Sequence, residues 1–288
     1  MMKQTIAGIR RGNLFSPNHI GNDAAVFAQT AEHLRGKGYA VNEYIESDLL
    51  TRKIPENILF NMVRDRQSIR ILQQFEDEGR IVVNSACGIE NCTREKMTRL
   101  LLSRGIPHPR SLFLQTGEDP VEAIEEAGFH HCWVKRGDFH AIHREDVTYV
   151  RHPGEAKDIL KEFALRGIET AVVNEHLAGD LVKFYGISGG AFFYWFYPSD
   201  TQHSKFGLEQ INGTAKGYPF SEEALQALGD EAAEALNIRI YGGDCIVSKD
   251  GVIRLIDFND WPSFAPCRDS AVPHIAACIL REIRSRNG

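Results

Sequence analysis

The sequence predicts an α/β protein in which a parallel sheet with helices on both faces leads into a second, mixed portion. Two observations carry the prediction. Between Thr5 and Asn84, short apolar β-branched runs alternate with stretches of helical period, the order that builds a parallel sheet. Near the other end, Cys245 to Val247 and Val252 to Ile256 flank Lys249-Asp250-Gly251. Asp and Gly tolerate the positive φ of a hairpin turn, so these two runs read as antiparallel partners.

Taken in order, Thr5 to Ile9 is the first strand. The loop after it, Arg10 to Asn22, is polar and carries Arg10, Arg11, Asn18, His19, Gly21 and Asn22. A helix is expected from about Asp23, with Val26, Phe27, Thr30 and Leu34 on one face and Gly36 and Gly38 closing it. Ala40 to Tyr44 is the second strand, and ligands of such units sit beyond the carboxyl ends of the strands. The loop from Asn18 to Asn22 is therefore expected to face a cleft. Asn57 to Met62 and Ile81 to Asn84 are further strands, separated by a helix from Arg66 to Glu78 that Gly79 stops.

A helix from Thr93 to Ser103 follows, with Thr93 as N-cap and Lys96 in its first turn. On its own Lys96 reads as a solvated surface lysine, although a cation there opposes the helix dipole unless an anion offsets it. Ser111 to Leu114 is a strand and Pro120 to Ala127 a short helix. Cys132 to Lys135 is a strand ending in a cation before Gly137, well placed to reach a phosphate. Asp146 to Val150 returns, Pro153 to Arg166 is helical, and Ala171 to His176 leads through a glycine turn to Leu181 to Ile187. Lys183 alternates with Leu181 and Tyr185, so the three share a face. Phe192 to Phe196 is a strand. The polar stretch Ser199 to Gly217, with Lys205 and Lys216, is expected to be mobile. Glu222 to Leu236 is an amphipathic helix feeding the hairpin, and Ala271 to Ile283 is a final helix expected to pack on the sheet.

Composition removes several classes of function. A net charge of −6 argues against a general binder of nucleic acid or anionic membranes. The longest apolar run, Ala191 to Tyr197, is too short to span a bilayer, and Met1 to Gly12 lacks the apolar core of a signal peptide. None of the six cysteines forms a C-x-x-C pair or lies at zinc spacing from a histidine, so they read as small buried hydrophobes in a reducing compartment, and a cytoplasmic location is expected. Cys87 in N-S-A-C-G is a candidate nucleophile, with a buried core thiol as the plainer reading.

The hairpin carries the chemistry. It puts Asp244 at the start of one strand opposite Asp257 at the end of its partner, and Asn259, two residues on, shares a face with Asp257. Two carboxylates and an amide oxygen suit Mg²⁺ or Mn²⁺, the ions that accompany nucleotide phosphates. Without a cation between them, Asp244 and Asp257 should repel. Acidic residues at strand ends are also common turn formers, which is the structural alternative.

Five pieces in order resemble the ATP-grasp superfamily over roughly Cys92 to Pro266: T-R-E-K-M-T-R-L-L-L-S-R-G-I-P-H-P, W-V-K-R-G, V-V-N-E-H-L-A-G-D, G-G-D-C-I-V and L-I-D-F-N. The resemblance implies an ATP-grasp fold in residues 93–288, with a lid subdomain over about 112–178 and a C-terminal subdomain over about 179–288. Residues 1–92 would form the parallel α/β domain that precedes it. Lys96 and Lys135 would hold the ATP phosphates. Glu175, His176 and Leu177 would form the adenine hinge, Asp180 would meet the ribose and Lys183 would line the pocket. Asp244, Asp257 and Asn259 would hold Mg²⁺ or Mn²⁺, with Lys135, Asp257 and Asn259 as the catalytic set.

Two departures stand out. The family usually has Glu where Asp257 stands, although its inositol phosphate kinases have Asp. The loop after Lys135, Gly-rich in the family, has only Gly137 here, and the resemblance implies that His140 would stand in for the missing glycines. The implied activity is an ATP-dependent ligase that activates a carboxylate for attack by an amine. A kinase acting on a hydroxyl, or a nucleotide-binding protein without catalysis, are the rivals. Arg10, Arg11, His19 and Arg64 are candidate holders of an anionic acceptor, which would be a small molecule or a peptide. Neither nucleic acid nor membrane is expected as a partner, and a homodimer is an allowed assembly.

Overall fold

The computed structural model describes residues 4–17, 19–189, 192–198 and 211–287. Asn18, Lys205 and most of the polar stretch 199–217 lie outside them. Among the described residues, three four-stranded sheets organise the chain.

The first sheet has the order β2-β1-β3-β4 and is parallel throughout: β1 Thr5–Arg10, β2 Ala40–Ile45, β3 Ile58–Asn61 and β4 Ile81–Val83. Helix α1, Ile20–Gly36, begins three residues before the expected Asp23. It buries Val26, Phe27, Thr30 and Leu34 as its spacing predicts. A short α2, Asp48–Thr51, was not foreseen from the sequence. Helix α3, Arg66–Asp77, is capped by the Asp65 carboxylate on the Ser68 amide. Helix α4, Ala86–Asn91, was also not foreseen: its single turn and a half carries no full apolar period. Helix α5 spans Arg94–Ser103 with Thr93 at its N-cap.

The second sheet, β5-β8-β6-β7, is antiparallel: β5 Ser111–Gln115, β6 Cys132–Arg136, β7 Val147–Val150 and β8 Thr170–Glu175. Helices α6, Val121–Glu126, and α7, Pro153–Leu165, cover one face, and Leu160 and Phe163 join Val134 and Val173 in a core of their own.

The third sheet, β10-β9-β11-β12, is also antiparallel: β9 Asp180–Ile187, β10 Phe192–Phe196, β11 Ile240–Val247 and β12 Ile253–Asp260. Helix α8, Glu222–Leu236, packs against it through Leu225, Ala232 and Leu236. The last helix, α9, Arg268–Asn287, packs back toward the first sheet: Ile275 and Ile279 share one core with Ile6, Val26 and Phe60. The start of the chain and its end are thus bound into one hydrophobic unit. Asn84 fastens the same junction, its side chain donating to the Ile240 carbonyl at 2.7 Å and accepting from the Arg239 and Ile240 amides at 2.9 Å. No helix among the described residues is long and apolar enough to cross a membrane.

Candidate active site

The floor of the site is the β11–β12 ladder. Both strands are longer than the hairpin read from sequence, because Gly242 and Gly243 belong to β11. Glycine is a poor strand former, yet here side chains have no room: a Cβ on Gly243 would lie 2.5 Å from the Phe184 ring and one on Gly242 2.7 Å from Tyr185. The turn is as expected, with Gly251 at φ +80°. Asp244 pairs directly with Asp257, at mid-ladder and next to a register shift, so neither aspartate lies at a strand end. On its other side Asp244 is opposite Lys183 of β9.

These residues open into a cleft of about 300 Å³ between the second and third sheets and the loops of the first. Of the residues singled out from sequence, Lys135, His140, Glu175, Leu177, Lys183, Asp244, Asp257, Asn259, Arg11, His19 and Arg64 line it.

The remaining four do not. Arg10 is exposed and outside the cleft. His176 is half-buried, accepts from the Trp133 indole at 3.2 Å, and has its amide committed to the His131 carbonyl. Asp180 is buried, and its two carboxylate oxygens accept from the Lys216 and Tyr218 amides at 2.8 Å, so it anchors the segment before α8 instead of meeting a ribose. The alternation that turns Leu181, Lys183 and Tyr185 toward the cleft turns Asp180, Val182 and Phe184 the other way.

Lys96 is the fourth. Its side chain is 51% exposed and pairs with Glu90, away from the cleft. Arg94 occupies the place expected for it. Residues two apart on a helix point about 200° apart, so Arg94 and Lys96 cannot face the same side. Arg94 shares a stripe with Met97, Thr98 and Leu101, all buried at helical spacing, and that stripe was a signal in the sequence. The Arg94 guanidinium faces both oxygens of Asp257: Nη2 donates to Oδ2 at 3.0 Å, and Nη1 lies 2.9 Å from Oδ1 as a charge pair.

Burial alone would raise the Asp257 carboxyl, but the charges of Arg94 and Lys135 outweigh it and hold the group below its ordinary value. The repulsion expected between Asp244 and Asp257 is therefore met by cations already in place. Lys183 Nζ donates to Asp244 at 3.0 Å. Lys135 Nζ donates to the Ile256 carbonyl at 3.1 Å, and burial together with the neighbouring Arg94 charge lowers its pKa to about 7. His108 is buried behind this group and is lowered to about 3, by burial and by the Lys135 and Arg94 charges.

The end of the cleft nearer the first sheet is built differently. Arg11 pairs with Asp23 at 2.9 Å and also donates to the Met62 and Trp261 carbonyls at 3.1 Å. Arg64 donates to the Asp260 carbonyl at 3.1 Å and pairs with its carboxylate at 2.9 Å, with His140 Nε2 3.8 Å from the same oxygen. Glu46, unremarked in the sequence, is buried and accepts from the Gly12, Arg64 and Asp65 amides, which fixes both arginine-bearing loops. The loop after Lys135 rests on this end through Arg66, which pairs with Asp138 at 2.9 Å, and through the Phe15 and Phe139 rings 5.9 Å apart.

Cys87 is exposed, not a core thiol; partial burial and the nearby Glu76 raise its pKa, the reverse of an activated nucleophile. The other five cysteines are buried, as expected.

No protein-family model matches the chain, and no curated protein matches it by sequence. Solved structures do. The chain is similar to D-alanine–D-alanine ligase from Bacillus anthracis complexed with ATP, with a TM-score of 0.72 and 14% identity over 99% of each chain. It is similar to D-alanyl-alanine synthetase A from Vibrio cholerae, with a TM-score of 0.70 and 13% identity over 99% of each chain. A third likeness is to the ATP-grasp ligase PsnB in complex with its precursor peptide PsnA2 and AMPPNP, with a TM-score of 0.61 and 16% identity over 99% of this chain and 100% of that one. The chain has the ATP-grasp fold along its whole length.

Proposed function

We propose that this chain is an ATP- and Mg²⁺-dependent ligase that activates a carboxylate as an acyl phosphate for attack by an amine. The observation that carries the reading is the convergence of Lys135, Arg94 and Lys183 on the Asp244–Asp257 pair, in one cleft that continues to the loops of the first sheet. In this reading residues 1–92 are the preceding α/β domain, the second sheet is the lid, and nucleotide lies between it and the third sheet.

Trp133, Leu181, Ile246 and Ile256 give the cleft apolar walls suited to a purine base. Asn174 lies beside Glu175 and Leu177, with its side-chain oxygen buried and without a hydrogen-bond partner, an acceptor for an exocyclic amine. Lys135 leads to the phosphates, where a polyanion would restore the full charge that burial weakens. Asp244, Asp257 and Asn259 fit a magnesium ion that takes its other oxygens from phosphates and water. Bound there, the ion would neutralise charge on the transferring phosphoryl group.

The acceptor carboxylate would enter from the Arg11 and Arg64 end. Its oxygen attacks the γ-phosphorus, the bond to the β-phosphate oxygen breaks and ADP leaves. The amine then attacks the acyl carbon, loses a proton, and phosphate departs. The chain's part is to align and neutralise rather than to supply a covalent catalyst. Exclusion of water by the Phe15–Phe139 contact would protect the acyl phosphate from hydrolysis.

The test is a screen of carboxylic acids that follows ADP release in the presence of hydroxylamine. Hydroxamate formed in step with ADP supports the ligase. ADP with a stable phosphate ester and no hydroxamate would assign the kinase reading, which Asp at position 257 favours.

A further inference from the structure

Trp133 is the aromatic member of the apolar walls of the cleft, and its ring is held by groups that do not line the cleft themselves. We propose that His176 is a positioning residue: its imidazole fixes the Trp133 indole as a flat platform on which the nucleotide base stacks, opposite the aliphatic side chains of the third sheet. The proposal rests on the nucleotide-site reading above and concerns the base alone.

Three observations support it. The first is register. Trp133 lies two residues before Lys135 on β6 and directly opposite Asn174 on β8, and all three line the cleft. Cys132 and Val134 turn the other way, into the core of the second sheet. The indole and the lysine therefore share one face. From the third sheet Leu181 and Ile246, direct partners across β9 and β11, reach the cleft together with Ile256. An aromatic wall and an aliphatic wall suit the two faces of a planar base.

The second is the hydrogen bond. Trp133 Nε1 donates to His176 Nδ1 at 3.2 Å. An indole N–H can only donate, so Nδ1 must offer a lone pair and the ring proton sits on Nε2. Burial and the neighbouring His131 lower the His176 pKa, which keeps the imidazole an acceptor. The His176 amide donates to the His131 carbonyl at 3.0 Å, so the acceptor is itself fixed.

The third is ring packing. Tyr149, opposite Trp133 on β7, has its ring 5.1 Å from the indole at 57° and 5.1 Å from the imidazole at 72°. The His131 ring stacks on the same tyrosine at 6.1 Å and 29°. An indole held in this way has little freedom left to lose when a base arrives, which favours binding.

Calorimetric titration of Mg·ATP, and displacement of Mg·ATP by tripolyphosphate, separate the base from the phosphates. Trp133→Leu should weaken Mg·ATP binding by about 5- to 150-fold, the range for one base–aromatic stack, and leave tripolyphosphate affinity unchanged. His176→Ala should show a smaller loss, also confined to Mg·ATP. His176→Gln, whose side-chain oxygen can accept from the indole, should restore most of the affinity. Wild-type affinity for Mg·ATP in a folded Trp133→Leu or His176→Ala would overturn the proposal. So would a loss shared equally by tripolyphosphate, which would make the ring cluster a structural brace of the second sheet, and so would a Gln variant as weak as the Ala variant. Absence of Mg·ATP binding to the wild type would instead overturn the nucleotide-site reading and the inference with it.

Discussion

The two ends of the cleft hold similar residues to opposite purposes. Near the first sheet, Arg11–Asp23 and Arg64–Asp260 are buried ion pairs whose arginines also bond carbonyls of other segments, Met62, Trp261 and Asp260. They brace the loops together. Near the third sheet, Lys183–Asp244 and Arg94–Asp257 are part-exposed on the carboxylate side, with Asp244 27% and Asp257 26% exposed. In the proposed reading these are the charges that a polyphosphate would claim. The difference teaches that cations lining a cleft are not equivalent: what else a guanidinium holds decides whether a ligand can claim it.

Breaking a brace should be the more damaging change. Arg64→Ala leaves Asp260, 0% exposed, without its counter-charge, and should cost about 3–5 kcal/mol of stability by chemical denaturation. A loss within about 0.5 kcal/mol would mean the pair is not a brace. Asp257→Asn is next. The amide keeps one acceptor for Arg94 but removes the charge, so the expected loss is about 1–3 kcal/mol. Turnover per folded molecule should fall by about two to three orders of magnitude in an ADP-release assay. A variant that loses stability yet keeps turnover would make Asp257 purely structural.

The third prediction concerns pH in the protein free of nucleotide and metal. Unfolded Lys135 keeps its proton up to its ordinary 10.5, whereas the folded group keeps it only up to about 7. Between those values the unfolded state binds the extra proton, so this contribution raises stability as pH rises and lowers it as pH falls toward 7. Lys135→Met should therefore be more stable than the wild type, by most below pH 7 and by a margin that closes toward pH 10.5. A pH-independent difference in denaturation midpoints would contradict the burial of the charge. The smallest effect is expected for Lys96→Ala. Its exposed pair with Glu90 should be worth under about 1 kcal/mol, and nucleotide binding should not change. Weakened ATP binding in this variant would return Lys96 to the site.

Much of this was legible in the sequence because it follows local rules. The parallel character of the first sheet comes from its alternating strands and helices, and the Asp244–Asp257 pairing and the face shared by Leu181, Lys183 and Tyr185 come from periods of two and from one Asp-Gly turn. The misplacements came from motif position overriding period. Lys96 and Asp180 both sit on the wrong face by the spacing of their own neighbours. Other features have no local signature. Glu46 gathers amides from two loops distant in sequence, and α9 returns to the first sheet, because long-range packing decides both. The strand read from sequence begins only at Asp244, leaving out Gly242 and Gly243, whose reason is the approach of Tyr185 and Phe184 from the adjacent strand.

The central claim is that Lys135 stands where nucleotide phosphates bind. Calorimetric titration of Mg·ATP into the wild type and into Lys135→Met measures it directly. The account predicts saturable binding to the wild type and a loss of about 1.5–3 kcal/mol in the variant, the worth of one charge-assisted contact. Equal affinity for both proteins, or no binding to the wild type, would contradict it.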